Sequence, residues 1–230
     1  MQSLIEHLEE LRKRIIVVVS FFILCSGIGI FLSGPLIRYI SDYFKGQGIQ
    51  IIVTSPLEFI SAQLKLALLL GLILCLPIII YETILFIKPA LKNREKRMLL
   101  FFLPASVLLF VLGLIFSIVV LKTGLWFLAK LAQSFGVLNL WSLSQLIDFI
   151  FTTSLCLGLV FQFPILLLII TKLGIITPES IKGKRRLWYV GIFVIAAVVT
   201  PTVDPITMLV VAIPLLFLFE ISIILIKIFK

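Results

Sequence analysis

The chain has 230 residues, 61% of them hydrophobic and only 13% charged, and its mean hydropathy is +1.26. A soluble domain of this length cannot hide that much apolar surface, because roughly half of a globule's residues face water. Lipid is the remaining solvent. Twenty Lys and Arg against eleven Asp and Glu give a net charge of +9, but the bases cluster in short segments between long apolar runs, which is the pattern of membrane orientation rather than of nucleic-acid binding.

The first element is an N-terminal helix. Leu4, Leu8, Leu11 and Ile15 fall on one helical face, so this segment is expected to lie at the membrane interface before turning inward. Glu9–Lys13 and Glu10–Arg14 are i,i+4 pairs in the favourable order. These pairs explain a helix, but they do not explain three acids (Glu6, Glu9, Glu10) beside an apolar anchor.

Six stretches match the ~20 residues a helix needs to cross a bilayer: 15–32, 66–87, 98–121, 149–171, 188–201 and 206–226. The first is expected to be a span rather than a cleavable signal peptide, since it follows an acidic and basic segment and is long enough to cross. The fifth has fourteen residues, about 21 Å at 1.5 Å per residue, short of the ~30 Å hydrocarbon core. Thr200 to Pro205 end it and turn the chain into the sixth, which predicts a locally thinned bilayer. The fold class is therefore all-α: a single polytopic membrane domain over residues 1–230, six transmembrane helices, the fifth and sixth short. Segments 1–14, 88–97, 172–186 and 227–230 hold 15 basic residues in 43 positions, against 5 in 64 for segments 33–65, 122–148 and 202–205. The first set is expected to be cytoplasmic, with both termini inside. The outer segments contain amphipathic stretches, such as residues 56–60, that are expected to cap the far side. No internal repeat suggests an inverted-repeat transporter.

Ionisable groups inside a membrane are costly and point to function. Glu82 lies near the inner end of span two, Gln162 precedes Pro164 at comparable depth in span four, and the two are candidates for a hydrogen-bonded pair. Glu220 of span six sits seven residues before Lys227, and a structural pairing with that lysine is expected. Prolines 77, 104, 164 and 214 are candidates for kinks. Cys25, Cys75 and Cys156 each lie in an apolar run and read as packing residues, with no metal or disulfide spacing. There is no phosphate-binding G-x-x-x-x-G-K-[ST] loop, no G-x-S-x-G or H-E-x-x-H, and a single histidine, His7. No enzyme chemistry, catalytic residue, metal or cofactor is expected; a small-solute transporter or channel is the rival reading, weakened by the almost wholly apolar spans one, three and five.

Several fragments, in order through essentially the whole chain, resemble TatC, the receptor core of the twin-arginine protein translocase. They include His7 to Arg14, Pro77 to Tyr81, Phe86-Ile87-Lys88-Pro89-Ala90-Leu91, Glu95-Lys96-Arg97 and Gly174 to Glu179. The remainder are Thr200-Pro201 with Asp204, Ala212-Ile213-Pro214 and Phe219-Glu220-Ile221. The resemblance implies a cupped bundle in a prokaryotic cytoplasmic membrane that binds signal peptides bearing two consecutive arginines. It also implies TatA/TatB-type single-span partners, room for a homo-oligomer, and transport of folded proteins driven by the proton gradient. The family's arginine contacts fall on Glu10 and Glu95, within motifs that also contain Arg12, Phe86 and Pro89. The sites linked to partner helices fall on Thr200, Asp204, Thr207 and Glu220, where the match is partial because Met208 stands in place of the usual Gln. Many relatives carry Gln where this chain has Glu82 and Glu where it has Gln162, so the acid and the amide look exchanged here.

Overall fold

No Gly or Pro precedes Gly27, and the chain forms one unbroken helix, α1, from Gln2 to Lys45 in the computed structural model, which describes residues 2–88, 99–200 and 205–228. The N-terminal segment expected to turn at the interface is therefore the first part of the span's own helix, because nothing in it breaks the 3.6-residue repeat. The span also overruns its expected end at residue 32. Pro35 has no N–H to give the Phe31 carbonyl, yet the helix passes through it, and Ser33 Oγ donates to the nearby Ile30 carbonyl at 2.7 Å. A turn with Gly48 at φ 78° leads into strand β1 (Gln50–Ile52). Helix α2 (Pro56–Ile87) starts at a cap in which Ser55 Oγ accepts from the Glu58 N–H at 3.2 Å, with Pro56 at the first helical position, where a missing N–H costs nothing.

Helix α3 (Leu99–Ser134), strand β2 (Leu140–Ser142) and helices α4 (Leu143–Val160) and α5 (Phe163–Lys172) follow. The fourth expected span is thus two helices. Pro164 cannot donate to the Val160 carbonyl, and the chain turns through Phe161 and Gln162 with the Gln162 N–H bonded to the Leu159 carbonyl at 3.0 Å. Prolines 77, 104 and 214 lie inside continuous helices. A short α6 (Pro178–Gly183), α7 (Arg185–Val199) and α8 (Pro205–Ile228) complete the chain.

Among the described residues, five stretches are long and apolar enough to cross a membrane: Leu8–Lys45, Pro56–Ile87, Phe102–Ser134, Leu143–Lys172 and Thr207–Lys227. With α7, whose 15 residues rise only about 22 Å, they make the six apolar segments read from the sequence. As membrane segments the last two are the short ones: α7 has 15 residues and Thr207–Lys227 has 21, against 30 to 38 for the four before them.

The residues group into two compact units. The first (Met1–Leu103 with Ala132–Phe151) holds α1, α2, the strands and the start of α4. Here α1 and α2 pack antiparallel at a distance only glycine allows. A Cβ on Gly29 would stand 2.4 Å from the Ala67 carbonyl oxygen, and one on Gly71 2.7 Å from Ser26 Cα. Small residues at such crossings let backbones approach in lipid, where dispersion rather than water drives helix pairing. Strands β1 and β2 pair in parallel, Gln50 opposite Leu140 and Ile52 opposite Ser142, over a core of Ile37, Ala62, Leu66, Leu69, Leu143 and Ile147.

The second unit (Pro104–Leu131 with Thr152–Lys230) holds the rest. Ser117 and Ser154 join α3 to α4 by a buried hydroxyl pair at 3.0 Å. Phe163, Trp188 and Phe219 bring α5, α7 and α8 together, with ring centroids 5.9–6.4 Å apart.

Candidate functional site

Glu10 and Arg14 are one turn apart on α1, and Glu82 comes from the last turns of α2. The antiparallel register that sets Gly29 against Ala67 also sets Arg14 against Glu82, 15 residues and so about 22 Å further along α1. Arg14 binds both acids. Its Nη2 and Nε donate to Glu10 Oε1 at 2.5 and 3.1 Å, and its Nη1 donates to Glu82 Oε2 at 2.8 Å. Glu82 is the enclosed member, its side chain 16% exposed; Glu10, at 36%, is the open one. Of the two i,i+4 pairs expected on α1, Glu10–Arg14 forms, while Glu9 and Lys13 are both exposed and not ion-paired among the described residues. Arg12 is exposed and lies two residues from Glu10 and from Arg14, off their face of the helix. Phe86 follows Glu82 by one turn of α2 and is half-buried. Glu95, Pro89 and Asp204 lie outside the described residues.

Glu82 and Gln162 each have a partner within their own unit: Arg14 for Glu82, and for Gln162 the Ser106 carbonyl, to which its Nε2 donates at 2.8 Å. Thr200 ends α7, buried, with Oγ1 donating to the Ala197 carbonyl at 3.3 Å. Thr207 is buried at the start of α8. The expected Glu220–Lys227 pairing is corrected. Glu220 accepts from Arg185 Nη2 at 3.1 Å and from Tyr189 Oη at 2.6 Å. Two helical turns put Lys227 about 10 Å along the axis, whereas α7 packs beside Glu220 and presents Arg185 and Tyr189 on one face. An apolar cavity of about 100 Å³ opens next to this cluster, lined by Phe163, Trp188, Gly191 and Leu215 among others.

One polar centre was missed in the sequence. The Glu58 carboxylate accepts from the Thr54 N–H at 2.6 Å, the Ser144 N–H at 3.1 Å, and the hydroxyls of Thr54 and Ser142. Four donors on two oxygens suit the ionised form, which only accepts, and they tie α2 to the start of α4. Half of this was legible: Ser55-Pro56-Leu57-Glu58 has the S-x-x-E spacing of a helix start.

The exposed apolar side chains along α1, such as Ile23, Leu24, Ile28 and Phe31, together with the long apolar helices, define a polytopic α-helical membrane protein. Residues 6–214 match the TatC family model, Sec-independent protein translocase protein, and the chain belongs to that family. It is 32% identical to the Sec-independent protein translocase protein TatCy of Bacillus subtilis over 98% of this chain and 89% of that one. Identity to TatC of Aquifex aeolicus is 36%, over 96% and 92%. Two crystal structures of the twin-arginine translocase receptor TatC, one of them in DDM, are 35% identical to it. They superpose with TM-scores of 0.81 and 0.83 and cover 96% and 95% of this chain and 98% of each of theirs.

Proposed function

We propose that this protein is the signal-peptide receptor of a twin-arginine translocase, with Glu10 as one of the two acids that receive the arginine pair and Glu95 as the other. The observation that carries the reading is the state of Glu10. It is a carboxylate on a continuous helix, partly open, and its bound partner is already a guanidinium. Guanidinium is a planar fork of donors that matches a carboxylate bidentately, whereas an ammonium is a strongly hydrated point charge. A site built around such a contact discriminates Arg-Arg from Lys-Lys by geometry as well as by charge. The basic residues concentrated at one set of helix ends support a cytoplasmic location for both termini, on the side from which a signal peptide arrives. Thr200, Asp204, Thr207 and Glu220 are the candidates for contact with single-span TatA/TatB-type partners. Glu82 and Gln162 are the candidate intramembrane polar groups. Transport of folded cargo draws on the proton gradient, and the membrane is the cytoplasmic membrane of a prokaryote.

The test is binding of an Arg-Arg signal peptide to the purified protein in detergent, compared with a Lys-Lys peptide and with the Glu10→Gln and Glu95→Gln variants. Preference for Arg-Arg, lost in both variants, is expected. Equal binding of the two peptides, unaffected by either substitution, would exclude the reading.

A further inference from the structure

The polar cluster of the first unit holds two carboxylates and one guanidinium, so these three side chains together have a net charge of −1 when ionised. Arg14 loads a single oxygen of Glu10, Oε1, with two N–H groups. Among the described residues Oε2 of Glu10 and Oε1 of Glu82 accept no hydrogen bond. A second guanidinium approaching Glu10 in the bidentate mode needs both carboxylate oxygens, and one of them is taken. Arg14 must therefore withdraw before an arginine of a ligand is fully seated. Glu82 is where it goes: Arg14 Nη1 is already 2.8 Å from Glu82 Oε2, and turning the guanidinium onto the second oxygen completes a fork there.

We infer that Arg14 and Glu82 form a guanidinium-exchange device that sets the specificity of the Glu10 site, an inference that rests on the receptor function proposed above. In the resting protein Arg14 occupies Glu10 and holds its carboxylate in a geometry suited to guanidinium. An incoming arginine displaces it. A lysine competes poorly, because one point charge does not replace two parallel N–H contacts. Glu82 retains the displaced Arg14, so that no unpaired cation is left beside the cationic ligand, which would otherwise repel it and bear an uncompensated desolvation penalty. Arg14 and Glu82 are thus positioning residues acting through Glu10. The acid at position 82 has a role that an amide could not perform, since an amide leaves the cluster neutral when Arg14 is present.

The experiment measures the dissociation constants of Arg-Arg and Lys-Lys signal peptides for the full-length protein in detergent. The proteins are wild type, Glu82→Gln, Arg14→Gln and the double variant Arg14→Gln/Glu82→Gln, with Glu10→Gln alongside. Glu82→Gln is expected to weaken Arg-Arg binding about tenfold, the loss of one charge-assisted partner. Arg14→Gln removes the competitor, so the Lys-Lys peptide gains more than the Arg-Arg peptide and the preference narrows. The double variant restores the net charge of the cluster, and with it Arg-Arg affinity to within about threefold of wild type, a recovery of roughly 0.7 kcal/mol or better against Glu82→Gln by the tenfold-per-1.4-kcal/mol conversion. A structural role for the ion pair predicts the reverse, the double variant being no better than Glu82→Gln, and that result overturns the exchange. Wild-type affinity in Glu82→Gln overturns it as well. If the wild type has no Arg-Arg preference, or Glu10→Gln keeps it, the receptor reading itself fails and the exchange falls with it. A preference that depends on Glu10 but shows no rescue removes the exchange alone.

Discussion

Alanine at Gly29 separates close helix packing from mere helix propensity, because α1 supplies its own control two residues earlier. A Cβ on Gly29 would lie 2.4 Å from the Ala67 carbonyl oxygen and 3.1 and 3.2 Å from the carbonyl carbon and Cα of Ala67. Relief to ordinary contact demands that α1 and α2 part by about 1 Å. The obstruction is backbone, so no rotamer change removes it. Overpacking of this kind costs about 1–3 kcal/mol, offset by the roughly 0.5–1 kcal/mol that Ala gains over Gly in a helix. At Gly27 nothing lies within 4 Å, and only the gain applies. The two substitutions should differ by about 2 kcal/mol, which for a chain of this size is a separation of about 4–8 °C in melting temperature. Thermal melts of the two variants in detergent, followed by tryptophan fluorescence, read this directly: Trp141 packs against Phe44 of α1 at 5.9 Å and so reports on the first unit. Equal melting temperatures for Gly29→Ala and Gly27→Ala would refute the inferred close approach.

Other outcomes follow from particular bonds. Glu58→Gln removes the ionised acceptor shared by Thr54, Ser142 and Ser144; the Ser144 amide should lose protection in hydrogen exchange while amides of α8 keep theirs. A double-mutant cycle on Ser117→Ala and Ser154→Ala should give a coupling of about 0.6 kcal/mol and no more than about 1.7, the range of interhelical hydrogen bonds in bilayers; zero coupling by reversible unfolding would contradict the buried hydroxyl pair. Pro164→Ala restores an N–H that can reach the Val160 carbonyl, and a spin-label pair placed across residues 157 and 168 should report a straighter helix. Glu220→Gln keeps the shape but loses the charge held by Arg185, so a lower melting temperature and unchanged Arg-Arg peptide binding are expected.

Apolar runs between charged segments made the number of membrane segments and the shortness of α7 readable, because lipid leaves a simple signature of length and hydropathy. The ends were not readable. Gly34-Pro35 looks like a stop, but a membrane helix can carry a proline in its interior, and α1 runs through Pro35 to Lys45. The same residue type did stop the chain at Pro164, and nothing local distinguishes the two. In the cluster at Glu10, the i,i+4 partner was visible in the sequence and the third member was not: Arg14 and Glu82 are 68 positions apart, and only the antiparallel register of α1 and α2 brings them together. Glu58 was hidden for a similar reason, since its capping spacing is local but Ser142 and Ser144 arrive from the other side of α3. Glu220 was given the wrong partner because a helical face suggested Lys227, while packing of α7 supplied Arg185.

The strands impose an order of assembly. Gln50 pairs with Leu140, so β1 leaves the ribosome some 90 positions before anything can complete its ladder. An open strand edge is not tolerated in hydrocarbon, so β1 must wait in water, already beyond the C-terminal end of α1, while α2 and α3 are laid into the membrane. Closing so long a loop is a slow, entropically expensive contact, made only when β2 arrives with α4 immediately behind it. The first unit is therefore locked last on the side opposite the Glu10 cluster, whose own members, Arg14 and Glu82, meet as soon as α1 and α2 pair. A nascent chain stopped after α2 would already hold that cluster, on a pair of helices whose opposite ends have not yet been joined to the rest of the protein.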